Sequence, residues 1–138
     1  FIPLAFILAW FGWRPSPAHL LIVPATALFA LFISGLGLGL CALNVYFRDI
    51  GLLWSALLPA FFYLTPIAYP PELVPDRLRW IAELNPLYHF ITLVRAILVE
   101  GVVPSPYVWV TASLFAAVAL GIGMTLHNLL RRGYIANY

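Results

Sequence analysis

Charge is what this chain most lacks. Among 138 residues there are seven arginines, five acids and no lysine. Residues 15–47, 50–71 and 101–130 carry no charge at all. Each stretch reaches the roughly 20 apolar residues that a helix needs to cross a hydrocarbon core about 30 Å thick. Soluble helices of such length carry charge on one face. With 9% charged residues and a mean hydropathy of +0.99, the chain has too little charge to cover a water-facing shell. The sequence therefore reads as an integral membrane protein.

Other absences narrow the function. A formal charge of +2 with no basic run excludes nucleic acid as a partner. Without lysine no phosphate-binding Walker loop can form. His19, His89 and His127 show no metal-ligand spacing, so no metal or cofactor is expected on this chain. The single cysteine, Cys41, excludes an intrachain disulfide and reads as a small buried hydrophobe. No basic region precedes the opening run Phe1–Trp13, so it does not read as a signal peptide. It reads as the end of a span that begins upstream.

The elements follow from what remains. Ser16 and Pro17 can cap and start a helix running to about Leu43, with a kink expected at Pro24. Gly35 and Gly39 lie four apart on its face, a small-xxx-small spacing for close helix packing in lipid. Asn44–Ile50 is a short polar link. The next span runs from Gly51 to about Tyr69 and contains Pro59 and Pro66, which free backbone carbonyls for a moving bend or a static kink. Asp76–Leu84 reads as a short surface helix, and Asn85-Pro86 starts another that runs to about Glu100. A central Arg95 would cost about 3 kcal/mol in a full span, so this helix is expected to dip partway and return. Ser105-Pro106 opens the last span, which ends near Leu130. The fold class expected is all-α, a polytopic transmembrane bundle with two short re-entrant or interfacial helices before the last span. The spans fall at about 1–13 (partial), 17–43, 51–69 and 106–130, with an external segment at 70–105. Arg131 and Arg132, close to a span end, place the C-terminus in the cytoplasm.

Several polar and aromatic groups are candidates. Trp54, Leu58, Phe61 and Thr65 share one face of the 51–69 helix. Aromatic faces can hold sugar C–H surfaces without fixing hydroxyls, although Trp, Tyr and Phe also gather at membrane interfaces and in cores. Arg48 beside Asp49 can touch a partner or simply sit in water. Arg95 needs an acid such as Glu83, a lipid phosphate or cargo, and Glu100 is poorly spaced to pair with it. His89, beside Tyr88 at a helix start, reads as a surface group.

The order of motifs resembles a known family. Asn44-Val45-Tyr46-Phe47-Arg48-Asp49 closes one span, and Leu57-Leu58-Pro59-Ala60-Phe61-Phe62-Tyr63-Leu64-Thr65-Pro66 lies in the next. Val74-Pro75-Asp76-Arg77, Leu84-Asn85-Pro86-Leu87 and Arg95-Ala96 follow at family-like intervals. Together they resemble the permease subunit of ABC-2 type exporters, especially the branch exporting O-antigen, capsule and teichoic acid. The resemblance covers essentially the whole chain and is densest from Leu43 to Leu98. It implies a six-span permease working as a homodimer, with ATP and Mg on two separate ABC ATPase subunits. Residues 1–138 would be the C-terminal part of one transmembrane permease domain.

On that resemblance the chain is not itself an enzyme. It would sit in the inner membrane, among membrane lipid, and move a lipid-linked glycan outward. Asn44, Tyr46, Phe47, Arg48 and Asp49 would face the ATPase, Trp54, Phe61 and Thr65 the substrate path. Trp80, Asn85, Pro86, Tyr88 and Arg95 would form the re-entrant gate. An ABC-2 exporter of a drug, antibiotic or lipid, and a non-transporting structural subunit, are the alternatives.

Overall fold

A computed structural model describes residues 16–65, 80 and 83–136. Every described element is helical. A short 3-10 helix, Pro17–Leu21, leads directly into α1, Ile22–Tyr46. Then come α2, Ile50–Leu64, α3, Pro86–Leu98, and α4, Pro106–Ala136.

Local chemistry accounts for the ends. The Ser16 hydroxyl accepts from the Ala18 N–H at 3.3 Å, and Pro17 occupies the first position. Pro24 falls in the first turn of α1, just past the 3-10 segment, so the first turns change helix type there. Thr65 closes α2 in an extended conformation, φ −98° and ψ 123°, as a residue preceding proline prefers. Asn85 caps α3, its side chain accepting from the Leu87 N–H at 3.0 Å. Gly101, at φ +64°, reverses the chain after α3. The Val102 N–H then reaches the Ala96 carbonyl at 3.0 Å, satisfying the helix end.

Among the described residues two helices are long and apolar enough to cross a membrane: Pro17–Tyr46 and Pro106–Leu130. In each, 17% of the most apolar stretch is buried, so the apolar surface faces outward rather than into a core. α2, at 15 residues, is about 22 Å long and on its own falls short of the hydrocarbon thickness.

The main packing is α1 against α4. Gly35 and Gly39 lie on the buried stripe of α1 with Phe32 and Ala42. A Cβ on Gly35 would collide with the backbone of Ala119 and Leu120, and one on Gly123 with the carbonyl of Gly35. The two backbones thus meet where neither has a side chain, which maximises dispersion contact in lipid. At the link end the Tyr46 hydroxyl donates to the Leu130 carbonyl at 2.9 Å.

α3 lies against both long helices. Its buried residues His89, Phe90, Leu93 and Ile97 form one stripe at helical spacing. Phe90 packs with Phe32, Ala112 and Ala116, while Leu93 and Ile97 pack with Ala25. The Phe90 ring centroid lies 5.2 Å from Phe29 and 5.1 Å from Phe32.

Two expectations are corrected here. His89 is buried, 4% exposed, because its position four and eight residues before Leu93 and Ile97 places it on the packed stripe. Cys41 is exposed on α1, since the buried stripe through Gly39 and Ala42 leaves it on another face. The Phe1–Trp13 run, Pro66, the end of the 51–69 span and most of the Asp76–Leu84 helix lie outside the described residues. Within the last of these, Trp80, Glu83 and Leu84 are helical and exposed.

Candidate functional site

The described structure gathers the candidates into four places. The first is an apolar cavity of about 530 Å³ between α1, α2 and the start of α3. Trp54, Leu58 and Phe61 form its α2 wall, Phe32, Leu36 and Gly37 belong to its α1 wall, and Asn85 and Pro86 close one end. The Trp54 and Phe61 rings stand 6.1 Å apart at 42°. A Cβ on Gly37 would meet nothing within 4 Å.

Beside that end lies a short buried hydrogen-bond chain. Asn85 Nδ2 donates to Thr65 Oγ1 at 2.9 Å, and that hydroxyl donates to the Phe61 carbonyl at 2.6 Å. Thr65 is 1% exposed. Asn85 therefore uses both ends of its amide, one to cap α3 and one to hold the end of α2. Burial without these bonds would carry the full desolvation penalty of each group. The chain joins the candidate path residues Phe61 and Thr65 to the candidate gate residue Asn85.

The second place is the link after α1. Asn44, Tyr46, Phe47, Arg48 and Asp49 are all exposed, with Phe47 62% exposed. An exposed Phe beside an exposed Arg–Asp pair is a surface suited to a protein partner. The third is the α1–α4 seam at Gly35 and Gly39. The fourth is α3 itself, where Tyr88 and Arg95 are partly buried. Among the described residues Arg95 forms no ion pair, and its backbone carbonyl accepts from Val99 and Glu100. Trp80 is exposed.

Sequence reading missed three participants. Gly123 supplies the other half of the α1–α4 contact, and Ala119 and Gly123, four apart, were its visible signal. Gly37 borders the cavity, which no spacing rule marks. His89 joins Glu83 to Thr111, and its membership of the Leu93–Ile97 stripe was the readable sign. Among the described residues no group of His, Cys, Asp and Glu could hold a metal ion.

Comparison with known proteins follows the same elements. Residues 1–99 match the ABC-2 type transporter family. The chain is 31% identical over 123 residues to the O-antigen export system permease protein RfbA of Klebsiella pneumoniae. That match covers 86% of this chain and 47% of the relative. The permease of the same name from Myxococcus xanthus is 33% identical over 107 residues, covering 75% of this chain and 41% of its own length. The capsule polysaccharide export inner-membrane protein CtrC of Neisseria meningitidis serogroup A is 27% identical over 96 residues, covering 69% and 36%. The chain spans less than half the length of these curated relatives. No solved structure matches. With the family match extending from the first residue through α3, and with two helices able to span a membrane, the chain belongs to the ABC-2 type transporter family.

Proposed function

We propose that this chain is part of the membrane permease of an ABC exporter that moves a lipid-linked polysaccharide outward across the inner membrane. The observation that carries the reading is the similarity, over 69% to 86% of the chain, to permeases of O-antigen and capsule export systems.

In this reading two permease copies form the pathway. Two ABC ATPase subunits bind ATP and Mg and drive it. The exposed link Asn44–Asp49 is the cytoplasmic contact with an ATPase, and the C-terminus lies on the same side. Tyr46, whose hydroxyl anchors the link to α4, would pass a push on the link directly to the last span. Trp54 and Phe61 belong to the α2 wall along which cargo passes, and Thr65, buried at its end, holds that wall to Asn85. Residues 70–105 form the external re-entrant segment, with Trp80, Asn85, Pro86, Tyr88 and Arg95 at its gate. Apolar and aromatic walls suit a polymer that must slide, because they hold sugar faces without hydrogen bonds that would have to break at each step.

The test is deletion of the full-length gene, followed by assay of surface polysaccharide and of the internal lipid-linked pool. Loss from the surface with accumulation inside is the expected result. Normal surface polymer would overturn the reading of the cargo.

A further inference from the structure

We propose that His89 is a positioning residue, a two-ended clamp that holds the segment before α3 onto the last span, α4. The inference deepens the export reading and rests on it for the functional consequence, although the clamp itself is tested without cargo.

The geometry is specific. His89 Nε2 lies 2.7 Å from the Glu83 backbone carbonyl, and Nδ1 lies 3.3 Å from Thr111 Oγ1 on α4. A carbonyl can only accept, so Nε2 carries the ring proton in this pair. With the proton on Nε2, Nδ1 can accept from the Thr111 hydroxyl, whose single proton is shared with the Tyr107 carbonyl at 2.9 Å and the Val108 carbonyl at 3.1 Å. The ring stacks on Phe115 with centroids 5.4 Å apart at 27°, and Tyr107 meets it edge-on at 6.5 Å. Aromatic packing fixes the ring plane while the two nitrogens fix its ends.

A structural histidine could fill such a site with one bond. What sets this one apart is what its two bonds join. Glu83 lies two residues before Asn85, and Asn85 holds Thr65 at the end of α2. One side chain thus fastens the segment before α3 to α4, and the next fastens it to α2. A movement at the end of α2 that breaks the Asn85–Thr65 bond leaves His89 as the side chain that still ties Glu83 to α4. His89 sets which way that segment can swing, and so how the candidate gate opens.

The experiment uses the full-length permease assembled with its ATPase, in detergent. Ala112, 0% exposed on α4 where it packs with Phe90 of α3, is replaced by Cys in a background with Cys41→Ala and no other cysteine. The rate of thiol modification is then measured. His89→Phe keeps the ring and its stacking but loses both hydrogen bonds. It is expected to speed labelling about fivefold, the shift in local opening that loss of a buried hydrogen bond produces. His89→Gln, with one donor and one acceptor, is expected to restore most of the wild-type rate. Thr111→Val is expected to speed labelling less, and to add nothing to His89→Phe, since both remove one clamp.

Export is expected to fall in His89→Phe and recover in His89→Gln at equal permease levels. Equal labelling of wild type and His89→Phe would overturn the clamp, as would equally fast labelling of both His89 variants. If His89→Phe does not accumulate, the near-isosteric Thr111→Val decides: faster labelling supports the clamp and an unchanged rate overturns it. Normal surface polymer after gene deletion defeats the cargo reading and leaves these labelling results standing.

Discussion

At the scale of single residues, two glycines on one helix face opposite demands. Gly35 lies against the backbone of Ala119 and Leu120, with Gly123 opposite it, and no Cβ fits there. Gly37, two residues on, has open space around its missing side chain. Gly123→Ala is therefore expected to force α1 and α4 apart and cost about 1–3 kcal/mol, as overpacking does. Gly37→Ala is expected to leave stability unchanged. The check is the apparent melting temperature of the purified full-length permease for both variants. Equal loss at the two positions would mean that the seam is not where the helices meet. The 35–39 spacing already sets Gly37 on another face of the helix; what it did not show is that α4 presents Gly123 and the Ala119 backbone to the Gly35 stripe.

Asn85 makes a second residue-scale case. Its amide caps α3 and holds Thr65, so Asn85→Ala removes a part-buried cap bond and a buried side-chain bond at once. The expected cost is about 1–3 kcal/mol, a lost cap plus a lost side-chain link. Asn85→Ser keeps a capping oxygen but cannot reach Thr65 in the same way, and is expected to recover part of the loss. Thermal unfolding of the two variants checks the order. If Ala and Ser behave alike, the cap contributes nothing and the link everything.

At the scale of elements, α2 is distinguished by how little of it packs on the other described helices. Its described residues are mostly exposed, and it touches α1 sparsely across the cavity. Its firm attachment in the described structure is the Thr65–Asn85 bond at its end. Pro59 further removes one N–H from its ladder. An element with few buried contacts opens and moves at low free-energy cost. Trp54→Ala with Phe61→Ala is expected to leave permease assembly intact, because both rings face the cavity rather than the α1–α4 seam. Export is expected to fall, and surface polymer measured at matched permease levels reads it. Unchanged export would remove these rings from the path. The shared face of Trp54, Leu58 and Phe61 was legible from helical spacing alone. That the face borders a cavity was not, since the opposing wall comes from α1 and Asn85.

At the scale of the whole molecule, the question is orientation. The Tyr46 link and the end of α4 meet, because the Tyr46 hydroxyl bonds the Leu130 carbonyl. Whatever side the C-terminus occupies, the 44–50 link therefore shares it. In the proposed orientation both lie in the cytoplasm, the side that Arg48, Arg131 and Arg132 near the span ends would favour. A C-terminal reporter fusion on the full-length protein is expected to be active on the cytoplasmic side, and impermeant labelling at an introduced Leu84→Cys on the outer side. Exchange of the two sides would invert the gate assignment while leaving the fold untouched.

What the sequence determined alone was the solvent and the elements. Charge-free runs of more than 20 residues can bury their backbone only as helices in lipid, and the Ser16-Pro17, Asn85-Pro86 and Ser105-Pro106 starts mark where helices begin. These are properties of contiguous residues, and contiguous residues are what a sequence displays. The tertiary structure decided which faces meet. It buried His89 and exposed Cys41, paired Gly35 with Gly123, and brought Thr65 to Asn85 across 20 positions of chain. In a water-soluble helix the apolar stripe tells the inside from the outside. In a lipid-facing helix both sides are apolar, so hydrophobicity cannot make that distinction, and only the packing of small residues and the few buried polar bonds does.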